Sequence, residues 1–182
     1  MKLRIAILTS ALICASAAFA GGHGVMVGGA EMLKTKNIVE NASESADHTT
    51  LVAAVKAAGL ADTLMGDGPF TVLAPTNAAF DALPAGTVDM LLKEENKDQL
   101  TKILTCHVVA AKAMAGDVVK MVSDDGGEHT VGTVGGCELV AKYDMDKVTF
   151  TSGGGSVATV TIADVEQSNG VIHVIDTVLL PE

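Results

Sequence analysis

The feature that most constrains the fold is an alternation of apolar and polar residues in the second half of the chain. In the run SVATVTIADV, Ala158, Val160 and Ile162 alternate with threonines, which is typical of a strand with one buried face. Asn169-Gly170 separates this run from the next and predicts a hairpin, because both residues tolerate positive φ. The other runs of strand character are EHTVGTV, CELVAKY, KVTFTS and GVIHVIDTVLL.

The first half of the chain has helical spacing instead. Leu51, Val55 and Ala58 recur on one helix face, with Asp47 as the candidate N-cap and Gly59 as the stop. One short strand, PFTVLAP, interrupts the helical segments. Further helices are predicted at 77–83, 87–93, 97–104 and 117–122. Helices grouped before a series of antiparallel strands predict one α+β domain.

The first twenty residues have the organisation of a secretory signal peptide. A basic start precedes an apolar stretch, and small residues lead to a predicted cleavage site after Ala20. We therefore expect a signal peptide over 1–20, a flexible N-terminal arm over 21–36 and a single domain over 37–182. No later segment approaches the roughly 18 apolar residues of a membrane span, so we expect no membrane insertion. The predicted location is periplasmic or secreted.

Charge and aromatic content argue against several kinds of partner. Loss of Lys2 and Arg4 with the signal leaves 10 basic against 22 acidic residues, a formal net charge of −12. Such a chain repels phosphate backbones and anionic lipids, so nucleic acid is not an expected partner. The chain has no Trp and one Tyr, which argues against sugar binding by stacking on exposed rings.

Two cysteines, Cys106 and Cys137, lie outside the predicted signal. In an oxidising compartment an isolated pair favours a disulfide, and one of this loop size stabilises a fold by roughly 3 to 4 kcal/mol in the chain-entropy model. Two buried thiols or a metal pair are the alternatives. The metal pair is the weaker one, because the close CxxC spacing of zinc sites is missing.

Three stretches of the sequence, in this order, resemble the motifs of the fasciclin domain family. They are PFTVLAPTNAAF at 69–80, a leucine-rich helix running into CHVV at 106–109, and NGVIHVIDTVLLP at 169–181. The resemblance extends from about residue 37 to residue 181. One departure is Cys106-His107, where the family usually has Tyr-His, so a role of that tyrosine is not carried over.

The resemblance implies a compact wedge of two antiparallel or mixed β-sheets with a group of N-terminal helices. It also implies a secreted, non-enzymatic module for adhesion or matrix contact, without a cofactor. The expected partner is a cell-surface or matrix protein or polysaccharide, and we expect a monomer. Eight residues lie on the family motifs and are interpreted as structural: Thr76, Asn77, Phe80, His107, Asn169, Gly170, His173 and Asp176.

His173 lies in an apolar run, where it shares a strand face with Val171 and Ile175. In an apolar interior a neutral imidazole needs a partner for its N–H, such as a backbone carbonyl or a hydroxyl. We therefore interpret His173, and likewise His107, as hydrogen-bonded core residues. A buried neutral histidine must become charged as the pH falls through its unfolded pKa, so both histidines predict a loss of stability in acid.

The remaining motifs do not predict an enzyme. Ser, His and Asp are present, but no GxSxG segment brings a serine next to a histidine. SDDGGE at 123–128 lacks the oxygen ligands of a calcium loop, and SGGGS at 152–156 lacks the GK[ST] of a phosphate-binding loop.

One motif favours a different function. Cleavage after Ala20 would expose Gly21-Gly22-His23, whose amine, two backbone amides and imidazole can close around Cu(II) or Ni(II) in a square plane. The alternative prediction is therefore a periplasmic metal-binding or small-ligand-binding protein. A flexible glycine-rich leader would account for the same residues without a metal.

Overall fold

The computed structural model describes residues 24–182, so the predicted signal peptide lies outside it and stays a prediction. The helices are α1 (Ile38–Glu44), α2 (Thr49–Ala58), α3 (Ala61–Met65), α4 (Asn77–Asp81), α5 (Thr87–Leu91), α6 (Lys97–Thr105) and α7 (Ala115–Asp124). The strands are β1 (Val25–Val27), β2 (Ala30–Met32), β3 (Phe70–Pro75), β4 (Val108–Val109), β5 (Glu128–Gly132), β6 (Glu138–Asp144), β7 (Lys147–Ser152), β8 (Val157–Gln167) and β9 (Gly170–Ile175). This order confirms the predicted α+β class.

A β-hairpin over residues 25–32 corrects the flexible arm predicted for 21–36. Strands β1 and β2 are antiparallel, and the turn residues Gly28 and Gly29 have φ of 57° and 78°. Positive φ at both positions is typical of a type I′ turn, which glycine adopts without strain. Val27 and Met32 are each 1% exposed and pack in the core. The glycines that suggested an arm instead form a tight turn between two buried residues.

The helix ends follow local hydrogen bonding. α1 begins with a capping box, in which the Asn37 side chain accepts the Glu40 N–H and the Glu40 carboxylate accepts the Asn37 N–H. α2 ends at Gly59, which is left-handed as predicted. The predicted N-cap at Asp47 is wrong. Asp47 lies inside a short 3₁₀ turn, so its backbone lacks the extended conformation of a cap, and α2 begins at Thr49.

Seven strands are hydrogen-bonded in the order β4-β3-β9-β8-β7-β6-β5, and the β3–β9 pair is parallel. β8 joins two sheets: its start, at 157–159, pairs with β7, and 160–167 pairs with β9 across two shifts of register. Such irregularities bend a strand and increase its twist. The bend in β8 produces the wedge of two sheets that was predicted.

β9 separates two hydrophobic cores. Ile172 and Val174 face the helices, and we call the cluster around them the helical core. Ile175 faces the other way into what we call the sheet core, which α7 covers with Val118 and Val122. The buried residues of the sheet core are Leu73, Val118, Val122, Leu139, Ala141, Val148, Phe150, Ala158, Ile175 and Leu179.

The β8–β9 hairpin forms as predicted, but its turn is different. Neither Asn169 nor Gly170 has a positive φ, and the loop consists of Ser168 and Asn169. Glycine is required at position 170 for steric reasons, because a Cβ there would lie 2.0 Å from the carbonyl oxygen of Phe70 on the neighbouring strand. Among the helices within 24–182, none is long and apolar enough to cross a bilayer.

Candidate functional site

His173 is 2% exposed at the centre of β9, and both of its ring nitrogens are hydrogen-bonded. Its Nδ1 accepts the backbone N–H of Asp164 at 3.2 Å, and its Nε2–H donates to the carbonyl of Ala113 at 2.9 Å. Burial lowers the pKa of His173, while the Ala113 carbonyl and the Asp164 charge offset part of the change. The ring is therefore neutral near pH 7 and joins β9 to the segment before α7.

His107 has the same dual bonding at the end of α6. Its Nδ1–H donates to the carbonyl of Ile103 at 2.8 Å, and its Nε2 accepts the N–H of Leu179 at 2.9 Å. Burial lowers the pKa of His107 to about 4, although the Ile103 carbonyl opposes the shift. His107 therefore attaches the C-terminal segment to α6 and is a structural group.

A buried Ser–His pair, which sequence reasoning missed, lies before α2. Ser45 Oγ is 2.9 Å from His48 Nδ1, and each residue is 1% exposed. Burial lowers the pKa of His48, while the Ala74 carbonyl and the Asp47 charge offset part of the change. Since both side chains are sealed from solvent, this pair has no access to a substrate.

The residues of the first motif connect α4 to the helices before it. The Thr76 side chain caps α4 by accepting the Ala79 N–H, and Phe80 is buried in the helical core. The Asn77 carboxamide accepts the N–H of Thr50 and donates to the carbonyl of Ala46. These contacts give the motif a structural role.

The last motif makes similar connections over longer distances. The Asn169 side chain accepts the N–H of Ile38 and donates to the carbonyls of Leu64 and Gly66, which fixes the β8–β9 turn against α1 and α3. The Asp176 carboxylate accepts the N–H of Thr159 at 2.8 Å. Asn169 therefore acts through its side chain rather than through the positive φ that the sequence suggested.

Cys106 and Cys137 are joined by a disulfide, with their Cα atoms 5.3 Å apart. The bridge connects the end of α6 to the turn between β5 and β6. Close to it, the backbone N–H groups of Val134 and Gly135 donate to the carbonyls of Val108 and Thr105. These bonds join the turn between β5 and β6, at one end of the strand order, to β4 at the other end and to the end of α6.

The exposed surface of β5 to β8 has an unusual composition for so acidic a chain. Adjacent positions across the strands are Thr130, Val140, Thr151 and Val157 in one row, and Thr149 and Thr159 in the next. We call these six residues the outer sheet face. All are exposed or half-buried, and Val157 is 52% exposed. None of the six side chains is charged, although residues 24–182 contain 10 lysines against 22 acidic residues. The charged positions beside them are Glu128 and Lys142, in the second row, and Glu138, two residues before Val140 on β6.

An ion pair lies at the margin of this face, where Lys142 Nζ is 2.8 Å from a Glu128 carboxylate oxygen. The charges of this pair cancel each other in the row that contains Thr149 and Thr159. The threonines that alternate along KVTFTS and SVATVTIADV were the available sequence signal, but they were interpreted only as evidence for strands.

The predicted metal site at Gly21-Gly22-His23 lies outside the described residues. Within 24–182 no group of three or more His, Cys, Asp or Glu side chains is arranged to hold a metal ion. An apolar cavity of about 30 Å³ lies between α1, α2, β3 and α6. Pockets for small organic ligands are typically about 300–1,000 Å³, so this cavity is much too small for one.

The sequence model of the fasciclin domain family matches residues 46–181. This chain belongs to the fasciclin domain family. The match confirms the resemblance recognised from the three motifs. The solved FAS1 domain pair of the insect cell adhesion molecule Fasciclin I superposes with a TM-score of 0.71 at 18% identity, covering 80% of this chain and 51% of that one. This likeness shows that the fold is shared.

Two relatives illustrate the range of proteins that are similar to this fasciclin domain. Protein sll1483 of Synechocystis sp. is 53% identical over 144 residues, which cover 79% of this chain and 73% of the relative. The cell surface glycolipoprotein MPB83 of Mycobacterium bovis is 36% identical over 122 residues, which cover 67% of this chain and 48% of the relative.

Proposed function

We propose that this fasciclin domain is a secreted or periplasmic, non-enzymatic module that attaches to a cell-surface or matrix component. Fasciclin domains are adhesion-related, and one relative is named as a cell-surface protein. The observation that carries the proposal is the outer sheet face, an uncharged surface on a strongly acidic chain. This face is the contact surface in our proposal.

The chemistry of the outer sheet face suits a neutral, hydroxyl-bearing partner. Threonine hydroxyls donate and accept hydrogen bonds, while threonine and valine methyl groups provide small apolar contacts. Because its six side chains are uncharged and the adjacent Glu128 is paired with Lys142, the face repels anionic surfaces less than the remainder of the chain does. A neutral polysaccharide is the partner that this combination fits best.

The size of the face argues for weak contacts. Six outward positions on four strands about 4.8 Å apart span roughly 200 Å². A stable interface buries about 800 Å² on each partner, so this face is too small for a tight complex or a stable dimer. Attachment through such a surface depends on many copies acting together, which increases avidity without new contacts.

The experiment that tests this function is an attachment assay with purified mature protein. Parent cells, cells lacking the gene and deficient cells supplied with the protein are compared on neutral polysaccharide and on matrix protein surfaces. We expect the added protein to restore attachment on polysaccharide. The double substitution Thr149→Glu and Thr151→Glu should reduce attachment at least about tenfold, because two charges on the face would have to be desolvated.

Thr63→Glu is the matched control, since Thr63 is exposed on α3 far from the outer sheet face in the fold. It adds one of the two charges of the double variant at a site outside the face, and it should leave attachment unchanged. Thermal melting of each variant checks that the fold is intact. Equal attachment by the double variant and the parent would refute the face as contact surface, and no attachment phenotype in the deletion would refute the adhesion function.

A second function follows from the sequence Gly21-Gly22-His23. Its free amine, amides and imidazole form a square-planar set for Cu(II) or Ni(II) once the signal is removed. Copper titration of the mature protein should then give a visible absorption band at one equivalent. His23→Ala should abolish the band, and a protein without any such band would exclude this function.

A further inference from the structure

α7 covers one end of the sheet core. It contacts β5, β6 and β7, and its buried residues Val118 and Val122 close over the apolar side chains of the sheet. Its opposite side faces solvent. We call residues 111–124, which include the linker after β4, the strap. The apolar contact of the strap is therefore one-sided, and its position depends on how its first residues are held.

Three side chains of the sheets hold the beginning of the strap. Thr71 Oγ1 donates to the Ala111 carbonyl at 2.5 Å and accepts the Ala113 N–H at 2.9 Å. Asp164 Oδ1 accepts the Ala115 N–H at 2.6 Å. His173 Nε2–H donates to the Ala113 carbonyl at 2.9 Å. All three anchors are polar, and they bind alternate backbone positions of the strap at 111, 113 and 115.

The hydrogen bonds of His173 require a neutral ring. Since Nδ1 accepts the Asp164 N–H, the single ring proton must reside on Nε2, where it donates to Ala113. A second proton on Nδ1 would place two N–H groups against each other. Asp164 would then lose the bond that holds its backbone, which has a φ of 57°. The same residue accepts the Ala115 N–H, so a proton on Nδ1 disturbs the Asp164 anchor and leaves a charged ring buried beside apolar side chains.

We propose that His173 is a proton-sensitive latch, and that acidification releases the strap and uncovers the sheet core. Release would expose Leu139, Ala141, Val148 and Phe150, which are buried at neutral pH. The chain would thereby gain an apolar surface only in acidic surroundings. This device is independent of the outer sheet face and of the function proposed for it.

The groups around His173 set the direction of this response. β8 contributes the Asp164 carboxylate, which raises the pKa of the ring, and the strap contributes the Ala113 carbonyl, which also raises it. The charged strap residues are engaged elsewhere: Lys112 is directed to Glu166, Asp117 accepts the Met114 N–H, and Lys120 pairs with Asp124. On β3, Leu73 lies opposite His173. The side chains that line the small cavity beside the ring are apolar: Ala115, Val118, Val148, Phe150 and Val160.

Burial outweighs the two opposing effects, so the pKa of His173 is lowered in the closed state. In the open state the ring is hydrated and its pKa returns to about 6.5. The open state therefore binds more protons at pH values between the closed pKa and 6.5. Over that window the ratio of open to closed strap rises by up to about tenfold for each unit that the pH falls.

Hydrogen exchange at pH 7.5, 6 and 5, corrected for the intrinsic exchange rates, tests the latch in the intact protein. We expect the amides of α7 to lose protection progressively below pH 6.5 while those of β6 and β7 keep theirs. His173→Gln retains a donor for Ala113 and has no titratable nitrogen, so exchange in α7 should lose its pH dependence. His107→Gln is the matched control and should keep it.

Two results would overturn the proposal: α7 protection that is unchanged between pH 7.5 and 5, or an unaltered pH dependence in folded His173→Gln. If that variant does not fold, an NMR titration of the wild-type protein decides instead. The His173 ring signal and the exchange of Val118 and Val122 must then share one midpoint. Loss of protection in every strand at the same pH would show global unfolding and contradict a local latch.

Discussion

The two hydrophobic cores of this fasciclin domain are closed in different ways. The helical core is covered by several helices that pack on β3 and β9, and two of them, α1 and α4, begin with a side-chain cap. The helix over the sheet core is α7, and polar anchors, a histidine and a nearby disulfide hold its surroundings in place. The comparison teaches that one core depends on packing, whereas the other also depends on protonation and redox state.

A phenylalanine in each core allows the packing itself to be compared. Phe150→Ala in the sheet core should lower the free energy of unfolding by about 3–5 kcal/mol. Phe80→Ala in the helical core should cost less, because Phe80 lies on the five-residue helix α4, which can relax into the space. Phe150 lies on β7, and the strands on either side of it would keep open the cavity left by the substitution. Urea unfolding measures both values, and a larger loss for Phe80→Ala would reverse our ranking.

Reduction of the disulfide tests the redox side of the comparison. The bridge spans 31 residues of sequence, and the chain-entropy model predicts a loss of about 3–4 kcal/mol on opening it. Urea unfolding with and without reductant gives the difference. The double substitution Cys106→Ala and Cys137→Ala is the control, and it should be insensitive to reductant. Equal stability of oxidised and reduced protein would show that the bridge adds nothing to closure of the sheet.

Acid should destabilise the whole chain through His107, which connects α6 to the C-terminal segment. Its folded pKa of about 4 lies below the unfolded value of 6.5, so its contribution is complete above pH 6.5 and is lost as the pH falls towards 4. At about 1.4 kcal/mol per pKa unit the loss is roughly 3 kcal/mol. Urea unfolding across this range measures the slope.

His107→Gln provides the comparison for that titration. The variant should be less stable at pH 7, because a fully buried pair of hydrogen bonds is altered. Its stability should change less between pH 6.5 and 4 than that of the wild-type protein. A wild-type slope that the variant reproduces in full would assign the acid response to other groups.

The smallest effect is expected at the surface, far from either core. Lys142→Gln removes the ion pair between Lys142 and Glu128. Both of these side chains are more than half exposed. Solvent and salt screen such pairs, so the melting temperature should not change measurably. Thr151→Gln, on the neighbouring uncharged face, provides a control for substitution on a strand. A clear drop in melting temperature for Lys142→Gln alone would show that the ion pair contributes to closing the sheet.

Much of the fold was predictable because its signals are local. The alternation in β7 and β8 predicted strands, and Gly59 ended α2 in the left-handed conformation that glycine accepts. The helix expected at 77–83 is likewise present as α4, although it ends at Asp81. The errors had local causes too. Gly28-Gly29 was interpreted as flexible although two glycines between short apolar runs also predict a hairpin turn.

The candidate site was less predictable, because its groups come from distant parts of the chain. Asn169 bonds to Ile38 and Leu64, and His173 bonds to Ala113, with the intervening residues folded elsewhere. The six members of the outer sheet face lie on four strands, so their proximity depends on strand register. No periodicity within a single run contains that information.

The sequence by itself determined the class of fold, the family and the residues that had to be buried. These follow from local hydrophobic period and from short motifs, whose physical effects act within a few residues. Only the tertiary structure decided that β3 and β9 pair in parallel, that β8 bends between two sheets, and that His173 holds the strap. Such choices depend on contacts between residues far apart in the chain, where packing and hydrogen bonding select one arrangement among many that the same local patterns allow.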